Sequence, residues 1–269
     1  MNAFKTLCRP IIFADACHRT EGYGGIIMSA VGLDADQGLW PLAYSFASIE
    51  DESTWRYFCT MLKHAMGDHR FVIMSDRHGA LLNVVESVFD KEYHAHCFRH
   101  ITSNYGDVMN SLRFKKDQKD EGIRLLNKIA YSWDNFGYTR ALNELGAFRP
   151  ELLAWVEANH PEHWANAKFP FKRWGWLTSN PAESWNNWLG KHKLRNKNVY
   201  SFMKDHLIVV NRTMVIKTDA CAAWKNNCER KIEKWLQKKV KMINDRGYDC
   251  VPAGNLKFMV FDANAGHWT

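Results

Sequence analysis

PIIFAD at residues 10–15 and FVIMSD at residues 71–76 are two short apolar runs, and each of them ends in an aspartate. Apolar runs of this length predict buried strands. A buried strand that ends in a carboxylate presents that group at the edge of its sheet. We therefore expect Asp15 and Asp76 to lie together at one sheet edge, and this pairing decides the fold.

The first hundred residues alternate between strand and helix patterns. A hairpin turn at residues 34–38 makes the second and third strands antiparallel, because so short a connection cannot form a parallel crossover. Asp51 and Ser53 are candidate caps of a helix that runs through Met66. The order predicts an α/β fold with a ribonuclease-H-like mixed five-stranded sheet, in which the first and fourth strands are neighbours. Strands are predicted at residues 11–14, 26–33, 39–48, 71–75 and 92–96, with a turn at residues 22–25 and a second helix at residues 80–89.

The segment from about residue 98 to residue 172 is predicted to be helical and is rich in aromatic residues. Its apolar positions, Leu112 and Trp133 among them, suggest several short helices, one of which starts at Pro150. The predicted organisation is an N-terminal part of the core at residues 1–100, an all-helical insertion at 101–177, a C-terminal core helix with basic helices at 178–246, and a tail at 247–269.

The net charge of +7 is distributed unevenly along the chain. Residues 184–246 hold 15 Lys or Arg against 5 Asp or Glu, a balance of +10 that leaves −3 for the remainder. A basic stripe of this kind neutralises DNA or RNA phosphates and releases their counterions. A solvated, lysine-rich helix face explains the same charge equally well.

The cysteine count and the hydropathy pattern argue against a disulfide-stapled secreted protein and against a membrane-spanning protein. The seven cysteines are scattered, and a chain of 269 residues is too long to need disulfide staples. The N-terminus lacks the basic-then-apolar pattern of a signal peptide, and no run of about 18 apolar residues occurs. We expect a soluble, intracellular protein with reduced thiols.

A third acidic residue, Glu183, opens a helix-like stretch at residues 179–189. Magnesium takes oxygen ligands, and two ions about 3.5–4 Å apart can hold the attacking and leaving oxygens of a phosphodiester. Such a pair needs several carboxylates, so Asp15, Asp76 and Glu183 are the candidate catalytic and metal-binding residues. Taken singly, an aspartate at a strand end is more often a turn former or a helix cap. The inference depends on the arrangement of all three.

Several motifs resemble the catalytic domain of Mutator-like (MULE) transposases. Ser75-Asp76-Arg77 looks like the second-aspartate motif of that family, and HCFRH at residues 96–100 contains its Cys-x-x-His pattern. TSNPAESWN at residues 178–186 matches the segment that carries its glutamate. The resemblance begins at Asp15 and continues through YGG at residues 23–25, AVGLD at 30–34 and WPLAY at 40–44.

This resemblance implies a DDE-type, ribonuclease-H-like core with a helical insertion before the glutamate. Asp15, Asp76 and Glu183 would bind Mg²⁺ or Mn²⁺, and Cys97 and His100 would support the site. Water would attack the phosphodiester at a transposon end, and the freed 3′-hydroxyl would attack target DNA. The resemblance also implies that the protein acts in the nucleus if its source is a eukaryote. It is compatible with assembly into a homo-oligomer.

The sequence leaves two other functions open. A domesticated transposase relative would keep the fold and bind DNA to regulate transcription without cutting it. A general ribonuclease-H-like nuclease is disfavoured by the Cys-x-x-His pattern and the long insertion. Family members usually have a zinc-dependent DNA-binding region upstream and a SWIM-type zinc finger downstream. Residues 258–268 resemble the strand that leads into that finger, so we expect a fragment, a truncated element or a domesticated relative.

Several basic residues are candidate DNA contacts, although ordinary surface salt bridges or solvated positions explain them as well. They are Arg77, Arg99, Lys191, Lys193, Arg195 and Lys197. Trp185 and Trp188 are expected in the core, whereas Trp174 and Trp176 are candidates for base stacking. His94, His96, Cys97 and His100 have zinc-ligand chemistry, but no second Cys/His pair stands near in sequence, and a buried thiol with a hydrogen-bonded histidine is the commoner outcome.

Overall fold

The centre of the protein is a mixed sheet of five strands. A computed structural model describes residues 2–19, 24–90, 93–222, 230–252 and 258–262. The strands of the sheet are β1 (Ile11–His18), β2 (Ile26–Leu33), β3 (Leu39–Ala47), β4 (Val72–Ser75) and β5 (His94–His96). Their order across the sheet is β3-β2-β1-β4-β5, and β1 is antiparallel to β2 but parallel to β4. This is the ribonuclease-H-like α/β fold that the sequence predicts, with the first and fourth strands side by side.

Turn chemistry sets the register of the β2–β3 hairpin. The Asp34 side chain accepts a hydrogen bond of 2.7 Å from the backbone N–H of Gly38, which closes the predicted turn. In β3, Pro41 has no N–H to donate, and the pairing with β2 shifts by one residue there. β3 is the edge strand of this sheet, where a proline and a bulge are tolerated.

Helices cover both faces of the sheet. In the described ranges the α-helices are α1 (Asn2–Leu7), α2 (Glu52–Met66), α3 (Gly79–Val88), α4 (Phe98–Ser111), α5 (Lys116–Tyr131), α6 (Asn135–Phe148), α7 (Pro150–Ala158), α8 (Asn180–Lys191), α9 (Val199–Ala222) and α10 (Arg230–Arg246). Trp55 of α2 and Leu81 of α3 pack with Ile12 on one face. Trp185 of α8 and Phe202 of α9 pack with Phe13 on the other face. The alternation of Ile12 and Phe13 follows the two-residue period of a strand.

The ends of the first two helices have clear local causes. Asp51 caps α2, because its side chain accepts from the N–H of Thr54 at 2.8 Å and the Thr54 hydroxyl accepts from the N–H of Asp51. The sequence patterns did not predict α1. Its Phe4 is fully buried, and a Cβ on Gly32 would lie 2.5 Å from the Phe4 ring, so Gly32 allows this close approach.

The helices α4 to α7 have a hydrophobic core of their own. Buried residues of this core include Tyr105, Leu126 and Leu145. α7 begins at Pro150 as predicted, since proline suits the first turn of a helix. The placement of Leu112 and Trp133 inside helices is wrong. Leu112 follows α4 and is 41% exposed, and Trp133 lies between α5 and α6 and is 80% exposed, so neither continues a helical face.

Residues 208–269 form a second compact unit. Its described part contains the end of α9, all of α10, and an antiparallel pair of strands, β6 (Tyr248–Pro252) and β7 (Phe258–Asp262). Tyr23, Glu92, Cys228, His267 and Trp268, which the sequence patterns single out, lie outside the described residues. Within the described residues, no helix combines the length and the apolar character needed to span a bilayer.

Candidate active site

Three separate segments supply the candidate carboxylates. β1 pairs with β4 from Ile11 to Phe13, and Asp15 lies two residues beyond this pairing. Asp76 comes directly after β4, and Glu183 lies in the first turn of α8. Because β1 and β4 are parallel, their carboxyl ends meet at the same edge of the sheet.

The environment of Asp15 shows that the acidic groups lie close together. Burial, and then the negative charge of Asp76, raise the pKa of Asp15 from its ordinary value of 3.8 to about 7. The charges of Glu183 and Glu50 act in the same direction, while the N–H of Ala16, which donates to Asp15 Oδ1 at 2.9 Å, lowers the pKa. A carboxyl group with this pKa is half protonated near neutral pH.

Asn186 joins α8 to this cluster. Its Nδ2 donates a hydrogen bond of 2.8 Å to Oδ2 of Asp15. Glu183 and Asn186 are three residues apart on one helix, so both face the end of β1. Asn186 belongs to the TSNPAESWN motif at residues 178–186, but the sequence patterns assign it no role. Its spacing of three residues from Glu183 indicates that it lies on the same face of the helix.

Glu183 has one oxygen in an ion pair and one without a partner. Arg99 donates from Nη1 to Oε2 of Glu183. Oε1 of Glu183 is buried and has no hydrogen-bond partner. An unpartnered carboxylate oxygen is costly unless a donor or a cation satisfies it. This oxygen is therefore a natural ligand for a cation.

Glu50 is a fourth carboxylate that the sequence patterns missed. It follows β3, accepts from Nε1 of Trp55 at 3.1 Å, and adds to the negative field at Asp15. In the sequence, Glu50 stands next to Asp51, the cap of α2, and this position does not indicate a role in the site. Oδ1 of Asp76 accepts from the backbone N–H of His78 at 3.2 Å.

The candidate carboxylates are close, but they are not gathered around one point. Among the described residues, the group of three side chains whose ligand atoms all lie within 4.8 Å of one another is Glu86, His94 and His96. Asp15, Asp76 and Glu183 do not meet that spacing in the described structure. Their role as metal ligands stays a prediction.

Cys97 and His100 lie beside the site. The buried Sγ of Cys97 accepts from the backbone N–H of Ser179, at 3.2 Å, and the N–H of Cys97 donates to the backbone oxygen of Ser75. Cys97 thus connects the segment before Asp76 with the residue that precedes α8. Nδ1 of His100 is buried and has no hydrogen-bond partner, so that nitrogen does not make the hydrogen bond expected for this histidine.

The structure divides the candidate DNA-contacting residues into engaged and free groups. Arg77 donates to Oδ1 of Asn159 at 3.0 Å, and Arg195 donates to the backbone oxygen of His18 at 2.9 Å. Lys197 pairs with Asp205. Lys191 and Lys193 are exposed just beyond Glu183 on the same segment. These two lysines are the ones available to phosphates without breaking an internal contact, whereas Arg99 already pairs with Glu183.

The tryptophans near Glu183 differ in burial. Trp185 is 2% exposed and stacks on Trp188, with ring centres 4.6 Å apart. Trp176 packs edge-on against Phe13. Trp174 is 37% exposed, so it is the tryptophan among these four with a surface open to a base.

The sheet order and the acidic edge define a domain of the ribonuclease-H-like class. Residues 11–104 match the family model of the MULE transposase domain, and this part of the chain is a MULE transposase-like domain with a transposase-related function. The matched residues include Asp15, Asp76, Cys97 and His100, whereas Glu183 lies outside them. Comparison with curated proteins gave no match.

Proposed function

We propose that this protein is the catalytic domain of a DDE-type transposase that cleaves DNA and transfers strands with Mg²⁺ or Mn²⁺. One observation carries the proposal. Asn186, three residues after Glu183, donates to Asp15 at 2.8 Å, Asp76 directly follows the strand that pairs with β1, and the charges of Asp76 and Glu183 raise the pKa of Asp15. Mutual repulsion of this kind destabilises a protein unless cations or protons compensate it.

The side chains fit hard divalent cations. Carboxylate oxygens are the ligands that Mg²⁺ and Mn²⁺ prefer. Asp15, Asp76 and Glu183 would hold the cations, and the unpartnered Oε1 of Glu183 is open to one. Bound there, divalent cations would activate water and stabilise the leaving oxygen of a phosphodiester. Asn186 would orient Asp15 through the bond to Oδ2.

DNA is the proposed partner, as transposon end and as target. Lys191 is the last residue of the glutamate helix and Lys193 follows it; both are exposed, so they can neutralise backbone phosphates that approach Glu183. We also propose that the protein acts in a nucleus and that oligomers assemble on the DNA ends, as the family resemblance implies.

A cleavage assay with matched variants tests the proposal. Asp15→Asn, Asp76→Asn and Glu183→Gln should each remove Mg²⁺-dependent nicking of supercoiled DNA, because each removes a charged ligand while keeping side-chain size. Asp68→Asn and Glu157→Gln, at exposed positions, should leave nicking unchanged. Circular dichroism and DNA binding should stay at wild-type values in all five variants.

Nicking that survives any one of these substitutions would overturn the assignment of the site. The same experiment distinguishes between two hypotheses for this chain, a domesticated DNA-binding regulator and an active transposase. A purified wild-type chain that binds DNA but never nicks it, with Mg²⁺ or with Mn²⁺, would support the regulator instead.

A further inference from the structure

A second set of ligand-type side chains contains none of the candidate carboxylates of the acidic edge. His94 and His96 alternate with Ala95 on β5, so both histidines face the side of the sheet opposite to Ala95. Glu86 lies on α3. One ligand atom each from Glu86, His94 and His96 lies within 4.8 Å of the other two.

Both histidines are buried with unused ring nitrogens. His94 is 0% exposed and His96 is 4% exposed. Nδ1 of His94 has no hydrogen-bond partner, and neither nitrogen of His96 has one. A buried polar atom without a partner destabilises the folded state, so three of them in one place call for a ligand.

The hydrogen bonds around His94 define which nitrogen carries the proton. The hydroxyl of Ser75 donates its one proton to the backbone oxygen of Asp76 at 2.8 Å. With its proton on that oxygen, the hydroxyl accepts from Nε2 of His94, which lies 2.8 Å away. Nδ1 of His94 then carries a lone pair and no proton. This is the arrangement of a metal-binding histidine whose other nitrogen is held by a neighbour.

His163 fixes the ring of His96. Nδ1 of His163 lies 2.8 Å from the backbone oxygen of His94 and donates to it, and the His163 ring stacks on His96 with centres 4.5 Å apart. Burial, and then the neighbouring histidines, lower the pKa of His94 to about 3 and of His96 to about 2. Both rings are therefore neutral at physiological pH, which is the form that binds metal.

We propose that Glu86, His94 and His96 form a binding site for a transition-metal dication, with zinc as the expected ion. Two imidazole nitrogens and one carboxylate oxygen are a donor set that suits zinc and its neighbours better than magnesium. Glu86 is exposed, so the site borders solvent on the side of α3.

The site would tie the metal to the position of Asp76. His94 is bonded to the Ser75 hydroxyl, and that hydroxyl is bonded to the backbone oxygen of Asp76. An ion bound to Nδ1 would fix the orientation of the His94 ring. Through its hydrogen bond to the Ser75 hydroxyl, the ring would then fix the position of the end of β4. The proposal does not require that the protein cleaves DNA.

Zinc binding by the full chain tests the proposal. Metal-stripped protein is dialysed against equimolar Zn²⁺ in millimolar Mg²⁺, which occupies sites built of carboxylates, and bound zinc is measured by mass spectrometry. Co²⁺ replaces Zn²⁺ in a parallel sample, where intense visible absorption reports tetrahedral nitrogen and oxygen ligands. We expect one zinc per wild-type chain.

The variants test whether zinc binds at Glu86, His94 and His96 and not at an exposed surface position or at the acidic edge. Glu86→Gln changes an exposed residue, so it should fold, and it should weaken zinc binding by at least about tenfold. His94→Ala and His96→Ala should abolish binding. The controls His64→Gln and Glu157→Gln, both exposed, should bind one zinc, as should the double variant Asp15→Asn/Glu183→Gln.

Two results would overturn the site. One is a wild-type chain that takes up no zinc at equimolar concentration, and the other is a Glu86→Gln variant that binds zinc as tightly as wild type. Loss of zinc in Asp15→Asn/Glu183→Gln would also contradict it, since the ion would then belong to the acidic edge. Retention of zinc by a chain that never nicks DNA would uphold this site while removing the proposed function.

Discussion

Asn186 donates a 2.8 Å hydrogen bond to Asp15, and this bond joins two residues that are 171 positions apart in the chain. The donor lies on α8, three residues after Glu183, and the acceptor lies on β1. The bond therefore links the first candidate ligand to the helix that carries the third. It favours the ionised form of Asp15, because an N–H that points at a carboxylate stabilises its charge.

Removal of this donor should make metal binding depend more strongly on pH. Asn186→Ala leaves Asp15 Oδ2 without its donor, so the pKa of Asp15 should rise further and Mg²⁺ affinity at pH 7 should fall several-fold. Titration calorimetry at pH 8.5 should show most of the affinity restored, because Asp15 is then ionised again. Asn187→Ala, at the exposed next position, should match wild type at both pH values. Equal weakening at pH 7 and pH 8.5 would show that Asn186 acts on the fold instead.

The ion pair between Arg99 and Glu183 should compete with metal. Arg99→Gln frees Oε2 of Glu183, and an exposed ion pair is worth about 0–1 kcal/mol, so Mg²⁺ affinity should increase about two- to fivefold. Arg56→Gln breaks an exposed pair with Glu52 away from the site and should leave the affinity unchanged. Unchanged affinity in Arg99→Gln, together with slower cleavage, would instead assign Arg99 to the scissile phosphate.

The raised pKa of Asp15 predicts a pH-dependent stability in metal-free protein. Between pH 4 and about 7 the folded state keeps a proton that the unfolded state has released, so the free energy of unfolding falls as pH rises. Asp15→Asn removes this titration. Its Tm relative to wild type, measured in chelator, should increase by a few degrees from pH 5 to pH 8. Asp68→Asn, an exposed aspartate, should show a constant difference, and a constant difference for Asp15→Asn would refute the raised pKa.

The two free lysines should set the salt dependence of DNA binding. Lys191→Gln/Lys193→Gln should weaken binding to all DNA sequences alike and reduce the salt slope by roughly one unit for each phosphate that is no longer neutralised. Arg113→Gln/Lys116→Gln is a matched control with the same charge change, and Arg113 shares the positive φ of Lys193. An unchanged slope in the first variant would mean a solvated face, and loss of preference for one sequence would mean base contacts.

The strands of the sheet could be predicted because each is marked by a local pattern of apolar residues and turns. Ile26–Leu33 is an apolar run with a turn on its C-terminal side, and the structure places β2 at these residues. α1 was not predictable in this way, since it is short and its Phe4 is held by the close approach of Gly32.

The parts of the site that the sequence did not predict depend on tertiary contacts. The pairing of Arg99 with Glu183 spans 84 positions and leaves no local pattern. Glu50 stands in sequence beside a helix cap, and it becomes relevant to Asp15 only after β3 has paired with β2. The histidines of β5 looked like an incomplete zinc pattern, because Glu86 comes from α3, which precedes β5 in the chain.

The helical segment between β5 and α8 leaves and re-enters the core at a single place. The N–H of Phe98 donates to the backbone oxygen of Leu177 at 2.7 Å, and Sγ of Cys97 accepts from Ser179 next to it. The two ends of the segment therefore touch, whatever lies between them. Closing a longer loop costs little extra free energy, since the cost grows only with the logarithm of its length. Helices α4 to α7 can thus be lengthened, shortened or exchanged over generations while the distance from Asp76 to Glu183 stays the same.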